Sequence, residues 1–295
     1  MQPVSAADHR KGLLSLHGAI LLFGGTALFS QLISLTALDI TIIRCFVAAI
    51  TLLMLLQLRH ERIRLSSWRD YGLALLLGLL MASHWVTYFA GMQYAGVAIG
   101  VIALYTYPLM TVLIEPLLHR QLPPPMDALM GFIGLFGLWL IAGNTGTEQH
   151  PHILTGVFTG VLSALLFTAR NLLYKYKFAH CSGAQAMFYQ TLIGGFVLVA
   201  WLSDDWQHIG ALDWTYLLLL GSVFTALSHA FFTTSLRYLK AKTVGLISCL
   251  HPVYSTALAV LVLAEVPTWR TVAGGALVLS AAAYETLHGH KRALR

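Results

Sequence analysis

Three histidines, His84, His229 and His251, stand inside stretches that are otherwise apolar. An imidazole there can bind a polar solute, carry a proton, or make one hydrogen bond between neighbouring segments. His84 has Trp85 beside it and Tyr88 one helical turn on, while Ser248, His251 and Ser255 fall at i, i+3 and i+7, on one helical face. Pro108, Thr111 and Glu115 repeat that spacing. Pro108 and Pro252 lack an amide proton, so each frees the carbonyl four residues back, at Leu104 and Ser248. Helices interrupted near the centre of a bilayer expose backbone that holds solutes; the competing reading is a packing kink. Trp85, Tyr88, Tyr105 and Tyr107 can form an apolar box with polar tips, suited to aromatic, amphipathic or cationic solutes, or can simply pack a core.

Charges inside apolar segments are costly and mark function or pairing. Arg44 lies about one and a half turns from one end of its segment and Glu115 about one turn from the opposite end of its own, so they are not a direct pair. Arg44 either attracts a carboxylate or snorkels; Glu115 either carries a proton or faces water at the rim; Arg170, nearer a rim, is expected to snorkel. The candidate substrate-binding set is therefore Arg44, His84, Trp85, Tyr88, Tyr105, Pro108, His229, Ser248, His251 and Pro252, with His251 and Glu115 as candidates for proton coupling. The sequence contains neither H-E-x-x-H nor G-x-S-x-G, and Cys45, Cys181 and Cys249 are too far apart for metal-ligand spacing. Catalytic residues, bound metal and cofactors are expected to be absent. Rings of like charge that would line a channel are missing too.

These residues are carried by segments that only lipid can solvate. Of the 295 residues, 57% are apolar and 10% charged, where a soluble domain carries roughly a quarter charged. Stretches long enough to span a bilayer fall at about 14–36, 39–58, 70–92, 96–118, 127–143, 153–174, 184–203, 213–236, 242–264 and 267–287. With ten spans, 16 of the 18 Lys and Arg fall on one side, leaving only Arg44 and Arg270. Positive charge is retained in the cytoplasm, so both termini are expected inside, in a bacterial-type inner (plasma) membrane. The charges lie in short connectors rather than along one face, which argues against a nucleic-acid partner despite the formal charge of +6. Six of the seven Trp fall near span ends; Trp85 does not.

The chain also aligns with itself at an offset of 144 residues. Pro108 falls on Pro252, Pro123 on Pro267, Gly131 on Gly275, Tyr94 on Tyr238 and Phe23 on Phe167. His84 and Trp85 then correspond to Ser228 and His229, and Tyr107 to His251. Each half, 1–148 and 149–295, is expected to hold five helices. Five is odd, so the halves insert in opposite orientations, as in transporters that alternate access about a midplane site.

Arg44-Cys-Phe-Val-Ala-Ala, Tyr94-Ala-Gly-Val-Ala-Ile-Gly before Pro108, Leu236-Arg-Tyr-Leu-Lys-Ala before Pro252, Ala264-Glu265 and Gly274-Gly275 together resemble the EamA-like branch of the drug/metabolite transporter superfamily. The resemblance covers nearly the whole chain and implies an all-α integral membrane protein of ten helices as two inverted five-helix repeats around a central cavity. It implies substrates such as amino acids, nucleotide sugars, drugs and other metabolites. One departure stands out: where the family often has Gly-Glu ending the fourth helix, this sequence has Arg120-Gln121. The resulting expectation is an exporter of a small amino acid or amino-acid-like metabolite, with protons as a candidate coupling ion. A multidrug or metallophore exporter of the same fold and, more remotely, an intramembrane enzyme are the alternatives.

Overall fold

The computed structural model describes residues 6–118, 120–122, 125–142, 152–178, 180–239, 247–248 and 250–292. Lys240, Lys242, Cys249, Pro123 and the junction between the halves at 148–149 lie outside them. The described residues contain helices and no strand. In chain order these are α1 (Ala6–Thr26), a single turn α2 (Phe29–Leu32), α3 (Ala37–Leu58), α4 (Trp68–Ala95), α5 (Val97–Leu104), α6 (Tyr107–Leu118), α7 (Pro125–Ala142), α8 (Ile153–Leu173), α9 (Gly183–Leu198), α10 (Ala211–Gly221), α11 (Ser228–Tyr238), α12 (Leu250–Leu263) and α13 (Trp269–Arg292).

Seven rods among the described residues are long and apolar enough to cross a membrane: His9–Leu32, Ala37–Leu58, Trp68–Ala95, Val97–Leu118, Ile153–Phe178, Gly183–Trp201 and Ala211–Phe232. Apolar helices too short to qualify occupy Leu129–Leu140 and Leu250–Leu263. These two and α13 overlap the fifth, ninth and tenth stretches expected from the sequence without qualifying as spans among the described residues. Ile50, Phe132, Phe158, Phe196 and Leu261 are exposed on helices whose other faces are buried. So broad an apolar exterior is solvated by lipid rather than water.

Local sequence sets several helix starts. Thr36, Ser67 and Ser182 each accept the amide of the residue three places on, at Asp39, Asp70 and Gln185, the reach of an N-capping side chain. Arg120 and Ala264, which correspond at the 144-residue offset, both adopt left-handed backbone at φ 58° and 54° just beyond a helix. Two rods are not plain α-helix. α8 runs into a π-helical turn at Tyr174–Phe178, and α10 joins α11 through another at Ser222–Leu227. Such turns tend to mark functional positions.

The packing is dominated by α4 on α8, α7 on α13, α1 on α11 and α3 on α9. Small residues let α4 and α8 approach. A Cβ on Gly156 would stand 2.3 Å from the Ala95 Cβ and 2.8 Å from the Gly91 carbonyl oxygen, so any larger side chain there would force the helices apart. The expected fourth span is interrupted: it breaks at Tyr105–Thr106 between α5 and α6, and Pro108 is the second residue of α6, where its missing N–H costs nothing.

Candidate functional site

Three helix discontinuities meet at His251. α1 ends at Thr26, so the Phe23 carbonyl is among its last four and lacks an intrahelical donor. Pro252 removes the amide that would have bonded the Ser248 carbonyl. Tyr105, at the break between α5 and α6, donates its hydroxyl proton to that Ser248 oxygen at 2.6 Å. Between them, His251 places Nε2 2.9 Å from the Phe23 oxygen and Nδ1 3.1 Å from the Tyr105 hydroxyl. The two side chains thus span two carbonyls that the chain's own breaks have released.

The protons in this chain of contacts can be counted. A carbonyl only accepts, so Nε2 carries a proton toward Phe23. With the phenol proton committed to Ser248, the Tyr105 oxygen can only accept from Nδ1, which requires an imidazolium. Neutral His251 leaves these three contacts one proton short.

Around this junction the rings form a closed circuit. Trp85 contacts His229 at 6.1 Å between centroids, His229 contacts Phe23 at 4.9 Å, and Phe23 contacts His251 at 6.1 Å. His251 reaches Tyr105 at 5.3 Å, Tyr105 reaches Tyr107 at 5.5 Å, and Tyr107 reaches Phe167 at 5.0 Å. Phe167 stacks on His84 at 4.7 Å, His84 lies parallel to Tyr88 at 6.0 Å, and Tyr88 meets Phe89 edge-on. Arg44 closes the circuit, its guanidinium 4.3 Å from the Trp85 centroid and 4.8 Å from that of Phe89. Of the residues singled out from the sequence, Arg44, His84, Trp85, Tyr88, Tyr105, His229 and His251 are brought together here, with Ser248 bonded to Tyr105 and Pro252 buried beside His251.

The three histidines differ in setting. His84 is buried and pins α4 to α8: Nδ1 lies 3.1 Å from the Ser163 carbonyl, and the Ser163 hydroxyl donates to the His84 carbonyl at 3.0 Å. The carbonyl fixes Nδ1 as the protonated nitrogen. His229 lies two residues beyond the π-helical turn of α10–α11 and packs between Trp85 and Phe23.

Arg44 does not snorkel. It is 1% exposed, some 10 Å along α3 from Ala37. Its Nε and Nη1 are buried without an acceptor, as is the Tyr88 hydroxyl. An unpaired buried cation costs several kcal/mol even after relaxation; each desolvated cation–π contact returns about 2 kcal/mol. The two rings therefore offset part of that cost. Arg170 does not snorkel either: its Nε donates to Gln190 Oε1 at 2.7 Å and its Nη1 to Asn171 Oδ1 at 2.9 Å, both neutral acceptors.

The carboxylates with described side chains sit at the two ends of the bundle. At one end Asp39 accepts from Ser203, Asp213 from the Ser34 amide, and Glu265 from the amides of Val97 at 2.8 Å and Ala98 at 3.4 Å. At the other, Glu115 pairs with Lys175 at 2.5 Å and accepts from Tyr176, Glu61 accepts from Ser182, and Asp70 meets His180 at 3.0 Å. Glu115 is thus held at one rim, apart from the ring circuit.

Sequence reading passed over Phe23 and Phe167 as functional positions, although their correspondence at the 144-residue offset was visible. Phe167 packs on His84 and Tyr107; Phe23 packs on His229 and His251. It also passed over Phe89 and Ser163. Both stand at helical spacing from named residues, but nothing in their type marks them.

Such a bundle, with polar and broken backbone at its centre and apolar side chains outside, has the architecture of a membrane transporter. The chain matches the EamA-like transporter family over residues 10–143 and again over 154–284, and it belongs to that family; it is a multi-pass membrane protein. It is similar to an uncharacterized transporter, YxxF, of Bacillus subtilis (strain 168), at 23% identity over 86% of this chain and 83% of that one. An uncharacterized transporter of Archaeoglobus fulgidus is 23% identical over 71% of this chain and 73% of its own. A solved structure described only as the crystal structure of a protein superposes over 97% of this chain and 99% of its own, with a TM-score of 0.64 at 17% identity.

Proposed function

We propose that this protein is a plasma-membrane secondary transporter that exports a small amino acid or amino-acid derivative by alternating access. The observation that carries the reading is the convergence of interrupted backbone in α1, α5–α6 and α12 on the His251–Tyr105 pair, ringed by Trp85, Tyr88, His84 and His229. A ten-helix inverted repeat is supported by the packing. Under the 144-residue relation α4 on α8 becomes α11 on α1, α3 on α9 and α7 on α13 each pair an element with its own counterpart, and α5 packs on α12, the counterpart of its continuation α6. The two family matches begin 144 residues apart.

The inner and outer faces follow from charge. The end with Arg59, Arg62, Arg64, Lys175 and Lys177 is cytoplasmic, and the end with Asp204, Asp205 and Glu265 is external. Reporter fusions test this: a cytoplasm-active reporter is expected to work at both termini, and an exterior-active one within 203–210. Neither the protein nor its substrate requires a metal in this reading.

His251 serves as the proton-coupling group. Taking up one proton lets it donate to both Tyr105 and Phe23 while Tyr105 keeps its bond to Ser248, and substrate-driven movement of the breaks releases it. The ionisable neighbours facing it are Tyr105 and, across Phe23, His229. Proteoliposomes loaded with an amino-acid pool and given a pH gradient test the whole reading by mass spectrometry of released solute. Selective, gradient-sensitive release is expected; release no greater than from empty liposomes would remove it.

A further inference from the structure

Among the described residues, the interior of this bundle carries a cation with no anion bonded to it. Arg44 leaves Nε and Nη1 buried and unbonded, and the Tyr88 hydroxyl is buried and unbonded as well. The two groups are within electrostatic reach of each other. Asp39, the acid nearest in sequence, is already occupied by Thr36 and Ser203. The other carboxylates with described side chains lie in connectors or at a rim, and none bonds Arg44. Arg170, the second guanidinium deep in the bundle, is satisfied by neutral partners, so it supplies no negative charge to the site.

Two orphaned donors that share the Phe89 ring as a neighbour lack the same thing, an acceptor. A guanidinium presents its N–H groups as a planar fork matched to two oxygens, and a phenol adds a third donor. We infer that Arg44 and Tyr88 form the anion subsite of the transporter and that the transported solute carries a carboxylate. Trp85 and Phe89 flank the guanidinium at 4.3 and 4.8 Å and hold its plane, which leaves the edge of the fork for the ligand. The cargo is therefore an organic anion or a zwitterion, and amines without an acid are excluded. This rests on the transporter reading and adds to it the charge of the substrate.

The test uses L-phenylalanine and three probes that each differ from it at one group: its methyl ester, phenethylamine and 3-phenylpropionate. Binding to purified full-length protein in lipid nanodiscs is measured by the rise in Tm with ligand concentration. The two carboxylates are expected to stabilise wild type, and the ester and amine are not. R44Q is expected to weaken carboxylate binding about tenfold or more, and Y88F about threefold. R44Q without ligand should melt no lower than wild type, because it removes an unpaired charge; this separates loss of binding from loss of fold. Stabilisation by the ester or amine, a carboxylate response that survives R44Q, or no carboxylate response in wild type overturns the subsite. Proteoliposome flux separates the two readings. If wild type and R44Q export carboxylates equally, the subsite falls while transport stands; no flux of any solute from wild type removes both.

Discussion

His251 and Tyr105 share three contacts that a neutral imidazole and a phenol cannot all fill at once, and that is a property of a few atoms rather than of a motif. Replacing His251 with Gln preserves a donor toward Phe23 but removes the second exchangeable proton. H251Q is therefore expected to lose gradient-driven flux by about tenfold or more while keeping substrate counterflow, where no net proton moves. A parallel loss of both would show that His251 binds solute or supports the fold instead. Phe23 and Phe167 each brace two site residues. Truncating either to Ala is expected to cost about 2 kcal/mol, less than for a fully buried ring because both remain partly exposed; chemical denaturation in micelles measures it. At this scale the sequence was partly legible. Imidazoles and prolines in apolar runs announce themselves, because little else explains them there. Ser163 and Phe89 do not, since serine and phenylalanine are ordinary in membrane helices. Only the approach of α4 to α8 gives Ser163 its place opposite His84.

Among the elements, the break at Tyr105–Thr106 was foreshadowed by Pro108, and it falls where the freed carbonyl at Leu104 requires. Restoring the amide with P108A is expected to let α5 and α6 run on. Hydrogen exchange across 105–108 should then slow and transport fall, since Tyr105 would leave Ser248. The π-helical turns were not legible: they arise where one extra residue is absorbed into a rod, which depends on neighbours rather than on local composition. The end of α1 at Thr26 was missed for a similar reason. The apolar run continues through Leu38, and the turn at Ala27–Leu28 is recorded only in three dimensions, where Thr26 donates to the Phe224 carbonyl at 3.0 Å. Glu265 caps the start of α5 from the far end of the chain. E265Q removes the charge at a helix N-terminus, worth about 1 kcal/mol, and exchange of the 97–104 amides should rise about fivefold.

In the whole molecule, composition and the alternation of positive charge made the membrane setting plain, while which helices pack on which was not read from the sequence. The 144-residue register also shows where the halves stop being alike, though not what that difference does. Arg120 and Ala264 bend the chain in the same left-handed turn, yet the next residue is Gln121 in one half and Glu265 in the other. At one face a carboxylate clasps the amides of Val97 and Ala98; at the opposite face the corresponding residue has no charge to offer. Two conformations that a perfect repeat would make equal in energy are thereby made unequal. A difference of about 1.4 kcal/mol already sets their populations tenfold apart. On the alternating-access reading proposed above, the machine is geared: the clasp favours the state shut toward the outside, with the site turned to the cytoplasm for loading. The exporter proposed above needs that idle position, and a single oxygen-for-nitrogen difference between two corresponding turns would create it.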